Sequence, residues 1–407
     1  MPAIEATRMA VEPPVASTTV PGRLSSLDAY RGFVMLLMAS EGLGITQVAR
    51  TFKESGVWQF LSYQTDHVQW TGCSLWDLIQ PSFMFMVGVA MPYSLASRQA
   101  KGQPFGQMFL HAVWRALLLV FLGIFLRSVG REQTNFTFED VLTQIGLGYP
   151  LLFLLGWTKP RVQWVAAVSI LLLYWLAFAV YPLPGPDFDY QKVGVATNWP
   201  HLQGFGAHWD KNTNFAAAFD QWFLNLFPRA KPFVFNGGGY LTLSFVPSLA
   251  TMIFGLLAGG LLRSTGPAAQ KLWKLVGAGV AGLVLGWALD VSGLCPSVKR
   301  IWTPGWALFS AGWTCLLLAV FYGAIDIKGY RGWSFPLLVV GMNSIAMYCM
   351  AHLFEHFIRD NLKINLGRHV FELFGTPYAP ILERVAILFV LWLICFWMYT
   401  RKIFLRI

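Results

Sequence analysis

Charge is what this 407-residue chain has least of. Only 12% of its residues are Asp, Glu, Lys or Arg, about half of the ~25% usual in soluble domains. That scarcity excludes an ordinary soluble globular protein. Cysteine is sparse as well. The five at 73, 295, 315, 349 and 395 form no CxxC pair and no metal-ligand spacing, so no zinc module or other metal site is expected. Three of them lie inside apolar runs as small core residues. Cys73 and Cys295 fall on the same expected outer side, and the sequence does not argue a disulfide between them. No phosphate-binding glycine motif is present, and no internal repeat is evident. The first 22 residues carry Pro13, Pro14 and Pro21 but no apolar stretch of the kind a signal peptide needs. They read as a disordered tail.

What the chain does have is apolar length. Hydrophobic residues make up 56% and mean hydropathy is +0.52. Several runs approach the ~20 residues that cross a ~30 Å hydrocarbon core. Eighteen Trp and thirteen Tyr suit belts at the two membrane interfaces. The fold class is therefore all-α, a polytopic integral membrane protein of about ten helices, with the lipid bilayer as its first partner. The expected helices cover 27–48, 76–97, 108–129, 139–158, 162–182, 242–263, 273–293, 304–325, 336–357 and 381–400. Helix 2 should be bent by Pro81 and Pro92. The net charge of +10 argues little for nucleic acid, because surplus Lys and Arg in a membrane protein mark cytoplasmic loops. An even helix count puts both termini on one side. With that side inside, 16 Lys and Arg lie inward against 10 in the short outer segments, which favours cytoplasmic termini. After the tail, 23–407 reads as one transmembrane domain. Its long extracytoplasmic loop at 183–240 is rich in Pro, Gly, Asn and aromatics, with a short helix at 215–227.

The stretch Asp66–Gly88 concentrates the chemistry. His67 and Trp70 stand on a polar approach. Ser74-Leu75-Trp76-Asp77 then fits a capping box, a hydroxyl with a carboxylate three residues on. An imidazole just outside the start of a membrane helix can serve acid–base or nucleophilic chemistry. Asp77 either caps that helix or orients His67. Ser25–Asp28 and Thr137–Asp140 fit capping boxes too. Glu41, a carboxylate in an apolar run, is a functional candidate by its cost in a membrane. Alternatively, Gly42 and Gly44 end helix 1 early and leave Glu41 in water. His352 and His356 share a helix face, but no third metal ligand is evident. Arg115 is expected to snorkel or to pair with a carboxylate.

Four stretches resemble the heparan-alpha-glucosaminide N-acetyltransferase family, in the form of its bacterial relatives without the luminal domain. They are RLSSLDAYRGFVMLLM at 23–38, His67 to Phe83, GGGYLTLSFVPSLATMIFGLLAG at 237–259, and WTPGWALFSAG at 302–312 with GMNSIAMY at 341–348. The resemblance implies an acyltransferase of the inner, cytoplasmic membrane. It would move acetyl from cytoplasmic acetyl-CoA, its co-substrate, to an extracytoplasmic amino sugar or glycan. By the same resemblance His67 is the active-site histidine and Asn343 a catalytic or substrate asparagine. Two departures stand out: Glu41-Gly42 where the family often has Asn, and Leu142-Thr143-Gln144-Ile145 where it commonly reads Leu-Gln-Arg-Ile.

Because CoA phosphates cannot enter hydrocarbon, inner cations should hold them. Arg98, Lys101, Lys328 and Arg331 are the candidates, with Ser344 beside them. Trp70, His208 and Asp210 are candidates for the sugar, on the loops that face it. A homodimer is left open. The alternative reading is a transporter or flippase for a glycan or lipid-linked precursor, which should show paired broken helices in two related halves.

Overall fold

The computed structural model describes residues 24–405, so the expected tail at 1–22 lies outside them. The helices in order are α1 (Ser25–Ala39), α2 (Ile45–Thr51), α3 (Gly56–Gln64), α4 (Ile79–Ala100), α5 (Phe105–Ser128), α6 (Val141–Leu155) and α7 (Pro160–Ala179). They continue with α8 (Phe215–Phe223), α9 (Phe245–Arg263), α10 (Ala268–Val291), α11 (Pro304–Phe321), α12 (Phe335–Gly341), α13 (Ser344–Leu366) and α14 (Ala379–Thr400). Among the described residues there is no strand, only an isolated antiparallel bridge between Thr71 and Val298. The architecture is all-α.

Among the described residues seven helices are long and apolar enough to cross a membrane, or nine if two bent pairs each count as one span. The chain is an integral membrane protein. The expected count of ten included α6, whose 15 residues span only about 22 Å. The two bends also revise the expected helices. Helix 1 stops at Ala39, where Gly42 and Gly44 adopt left-handed backbone, and resumes as α2 at 43°. Helix 9 breaks by 69° between α12 and α13, around Met342 and Asn343. By contrast α4 runs unbroken through Pro92, and Pro81 sits in its first turn, where its missing N–H leaves no gap in the helix.

The capping boxes fare differently. At Ser74–Asp77 both reciprocal bonds form: Asp77 N–H donates to Ser74 Oγ at 3.2 Å and Ser74 N–H to Asp77 Oδ2 at 3.2 Å. Thr137 is not the cap of α6. Asp140 is, accepting from Leu142 N and Thr143 N. Ser25 caps nothing, and the backbone N–H of Ser26 donates to Asp326 instead, at 3.3 Å.

Close glycine packing holds the centre together. A Cβ on Gly88 would stand 1.9 Å from Met252 O, and one on Gly255 2.0 Å from Phe85 O. Helices α4 and α9 therefore meet backbone to backbone, as helices do where lipid supplies no hydrophobic drive between them. The outer faces of α5 (Trp114, Phe121, Phe125), α7 (Val165, Leu173) and α10 (Val284, Trp287) leave large apolar side chains exposed, as a lipid-facing surface requires.

Helix α4 runs from the His67 end of the bundle to an opposite end at Arg98. The 183–240 segment folds as a cap at the His67 end. Its Trp209 and Ala216 pack with Trp70, with Tyr174 and Phe178 of α7, and with Val298 and Ile301.

Candidate active site

Two loops are tied together at the His67 end. The Thr71–Val298 bridge and a bond from Gly72 N–H to Ser297 O at 3.1 Å join the approach to α4 with the turn between α10 and α11. Arg300, on that turn, donates to Val68 O at 3.2 Å and to Gly238 O, with its guanidinium 5.1 Å from the centre of the Tyr240 ring. The clasp delivers Lys299 against Asp77.

The result is a compact triangle. His67 Nδ1 lies 2.8 Å from Asp77 Oδ1, Lys299 Nζ lies 3.2 Å from the same oxygen, and Nζ and Nδ1 are 3.0 Å apart. Asp77 and Lys299 are buried, whereas 36% of the His67 side chain remains exposed. The second carboxylate oxygen of Asp77 takes up the capping bonds and also accepts from Val68 N–H at 3.3 Å. Capping and orienting, the two roles open for Asp77 in the sequence, thus use different oxygens.

Nδ1 faces a carboxylate that can only accept and an ammonium that can only donate. The carboxylate is the nearer, 2.8 Å against 3.0 Å, so the proton is assigned to Nδ1, pointing at Oδ1, and the lone pair to Nε2. Among the described residues Nε2 has no protein hydrogen-bond partner. Burial holds the imidazole below its ordinary titration range, with Asp77 opposing that shift and Lys299 adding to it. The ring is therefore neutral at pH 7 and able to take a proton. Tyr240 and Trp76 flank it edge-on, each 6.4 Å between centroids. The nearby Cys73 is no competing nucleophile, because burial pushes its thiol up to about 12.

A cavity of about 570 Å³ opens between α1, α4, α5, α6 and α13. Its lining on α4 runs from Arg98 to Phe83, about 22 Å along the axis. It is lined by Arg31, Arg98, His111, Arg115 and Ser344 and by apolar side chains such as Met86 and Ile145. Phe83, its last lining residue on α4, is six positions from Asp77, about 9 Å by helical rise. A hydrogen bond from Gln80 Nε2 to Gln144 Oε1 at 3.0 Å lies in the interval.

The structure brings together only part of the expected set. His67 and Asp77 touch, while Arg98 and Ser344 line the cavity. Lys101, Lys328 and Arg331 are exposed and line no part of it. Asn343 is wholly buried and spends its amide on Ile403 O and Leu405 N–H, anchoring the C-terminal segment beside the cavity. Glu41 pairs with Arg384 at 2.7 Å, and Arg384 also pairs with Glu355. Trp70 donates to Trp209 O at 3.2 Å inside the cap. Asp210 accepts from Trp199 Nε1 at 3.1 Å and pairs with His201, and His208 bonds Tyr181 O. Among the described residues Arg115 pairs with no carboxylate. It donates to Tyr149 Oη at 3.2 Å, and its Nε is buried without a partner.

Lys299, Arg300 and Tyr240 escaped the sequence reading. One signal was available: Lys299-Arg300 are adjacent cations in a short outer turn, where the charge bias of membrane proteins disfavours them.

No protein-family model matches the chain. It is similar to the heparan-alpha-glucosaminide N-acetyltransferase of Homo sapiens, 22% identical over 435 residues and 96% of this chain, and to that of Mus musculus, 22% identical over 434 residues and 95%. The chain spans about three fifths of the length of these curated relatives, 61% and 60%. It is a distant relative of the heparan-alpha-glucosaminide N-acetyltransferases.

Proposed function

We propose that the chain is a transmembrane acetyltransferase that passes acetyl from cytoplasmic acetyl-CoA to an amino sugar or glycan at the His67 face. The observation that carries this reading is the pairing of a neutral, carboxylate-oriented imidazole before the start of α4 with a cavity lined by Arg31, Arg98 and Arg115 that reaches Phe83 on the same helix. In this reading the termini and Arg98 face the cytoplasm, and the membrane is a bacterial inner membrane. Arg98 and Arg115 hold the CoA phosphates by charge-assisted bonds. The apolar part of the cavity takes the pantetheine arm, and acetyl-CoA supplies the acyl group as a thioester. As the acceptor amine bonds the acyl carbon and the carbon–sulfur bond breaks, His67 Nε2 takes the amine proton and returns it to the leaving sulfur. Asp77 Oδ1 faces the imidazolium that forms in between. The hydrogen-bonded Gln80–Gln144 pair lies where the arm must pass.

The test is His67→Ala in the purified chain. Acetyl transfer should fall by at least about 10²-fold, the lower bound usual for a lost general base, while CoA binding is retained. A variant that keeps most of its activity would refute the assignment.

The transporter reading draws on one observation, the two bent spans, of which α1 and α12 pack against each other through Gly32 and Gly341. Glycan movement across vesicles without acetylation would favour it.

A further inference from the structure

The proton transfer above needs His67 and a carboxylate, and leaves unexplained why a wholly buried lysine completes the triangle. We propose that Lys299 is a positioning residue. Its ammonium keeps Asp77 ionised and in place, so that the imidazole holds its proton on Nδ1 and offers a free lone pair on Nε2 at neutral pH. The inference rests on the reading of His67 as the reacting group.

Charge balance carries the argument. One carboxylate and one ammonium cancel, so the triangle is neutral only while the imidazole is neutral. Protonating His67 would set a second cation 3.0 Å from the buried Lys299 Nζ, a distance at which like charges repel. Without Lys299, Asp77 would have His67 as its sole cationic partner. The imidazolium would then form more readily, and less neutral imidazole would be on offer at a given pH.

Of the other groups around the ring, Arg300 also disfavours the imidazolium by its charge, but its bonds go to Val68 O and Gly238 O and not to Asp77. Asp66 accepts from the backbone N–H of His67 rather than from the ring. Tyr240 and Trp76 present only ring edges, and Cys73 keeps its proton. Burial lowers the affinity of Lys299 for its own proton, and Asp77 opposes that.

The experiment follows two readouts in the full chain, in detergent or nanodiscs: the acid limb of kcat/KM for acetyl transfer, and the rate at which diethyl pyrocarbonate modifies His67, read by mass spectrometry across pH 5–9. In Lys299→Met the midpoint of both should move up by about one pH unit or more, a tenfold loss of neutral imidazole on the acid side. Activity should recover substantially at high pH. Lys299→Gln, which keeps a donor to Asp77 but no charge, should give the same shift and serves if the Met variant does not fold. A uniform loss at every pH with an unmoved His67 midpoint would overturn the inference. The modification readout needs no catalysis. It therefore judges Lys299 even if His67→Ala stays active and the acetyltransferase reading falls.

Discussion

Asp220 illustrates how a single carboxyl can couple this fold to pH. It sits in α8 of the cap, fully buried, with Oδ2 accepting from Thr242 N–H at 2.9 Å and Oδ1 without a partner. Burial pushes it up to about 7, because the ionised form would face that gap unsolvated, and the Thr242 bonds only partly offset this. The folded chain thus keeps a proton that unfolded aspartates, titrating near ~3.9, have lost. A raised folded value contributes stability that is fully present below about 4 and is lost as pH rises through about 7. Thermal unfolding should therefore show stability falling from pH 5 to pH 8, and Asp220→Asn should shallow that slope. Glu139, also pushed up by burial, keeps the slope from vanishing. Equal slopes in the two proteins would contradict the assignment. The sequence made neither acid conspicuous: Asp220 is a lone carboxylate in the short apolar helix FAAAFDQWF, and Glu139 sits inside the Thr137–Asp140 box, where capping accounts for it. His67 and Asp77 were legible because their spacing sits at the start of a membrane-length apolar run. Lys299 was not, because only the folded turn carries it across to a helix more than two hundred positions earlier.

At the scale of elements, apolar run length located every long helix, whereas breaks and contacts depended on packing. Gly42 and Gly44 already suggested an early end to helix 1. Nothing in Gly341-Met342-Asn343-Ser344 announces the 69° bend between α12 and α13, since no proline is present. That bend is held from outside, by Asn343 bonding the C-terminal segment and by Gly341 lying against Asp28 O, where a Cβ would come within 1.9 Å. The α4–α9 contact makes a sharper prediction. Gly255→Ala drives a Cβ into backbone that cannot swing away, 2.0 Å from Phe85 O. It should cost at least the ~1–3 kcal/mol of an overpacked core. Gly260→Ala, on the same helix with nothing within 4 Å of its added Cβ, should be neutral or slightly stabilising through helix propensity. Unfolding of the two variants in detergent checks this, and equal melting temperatures would mean that α4 and α9 do not pack this closely.

For the whole molecule, the account depends on one spatial relation: a cavity lined on α4 from Arg98 to Phe83 and a reacting imidazole beyond its Phe83 end, separated by about 9 Å of helix and the Gln80–Gln144 pair. The membrane class was readable from composition because hydrocarbon admits so few sequences. The cavity was not, because it closes only where α1 and α13, from opposite ends of the chain, meet the consecutive helices α4, α5 and α6. Of the cations inferred for CoA, only Arg98 lines it. The most direct measurement is a cryo-EM map of the purified chain with acetyl-CoA added. The account predicts CoA phosphates beside Arg98 and Arg115, the pantetheine arm between α4 and α6, and the thioester within the ~3.2 Å reach of His67 Nε2 that proton transfer requires. Density for CoA outside this cavity, or a sulfur held more than about 10 Å from His67, three times that reach, would contradict it.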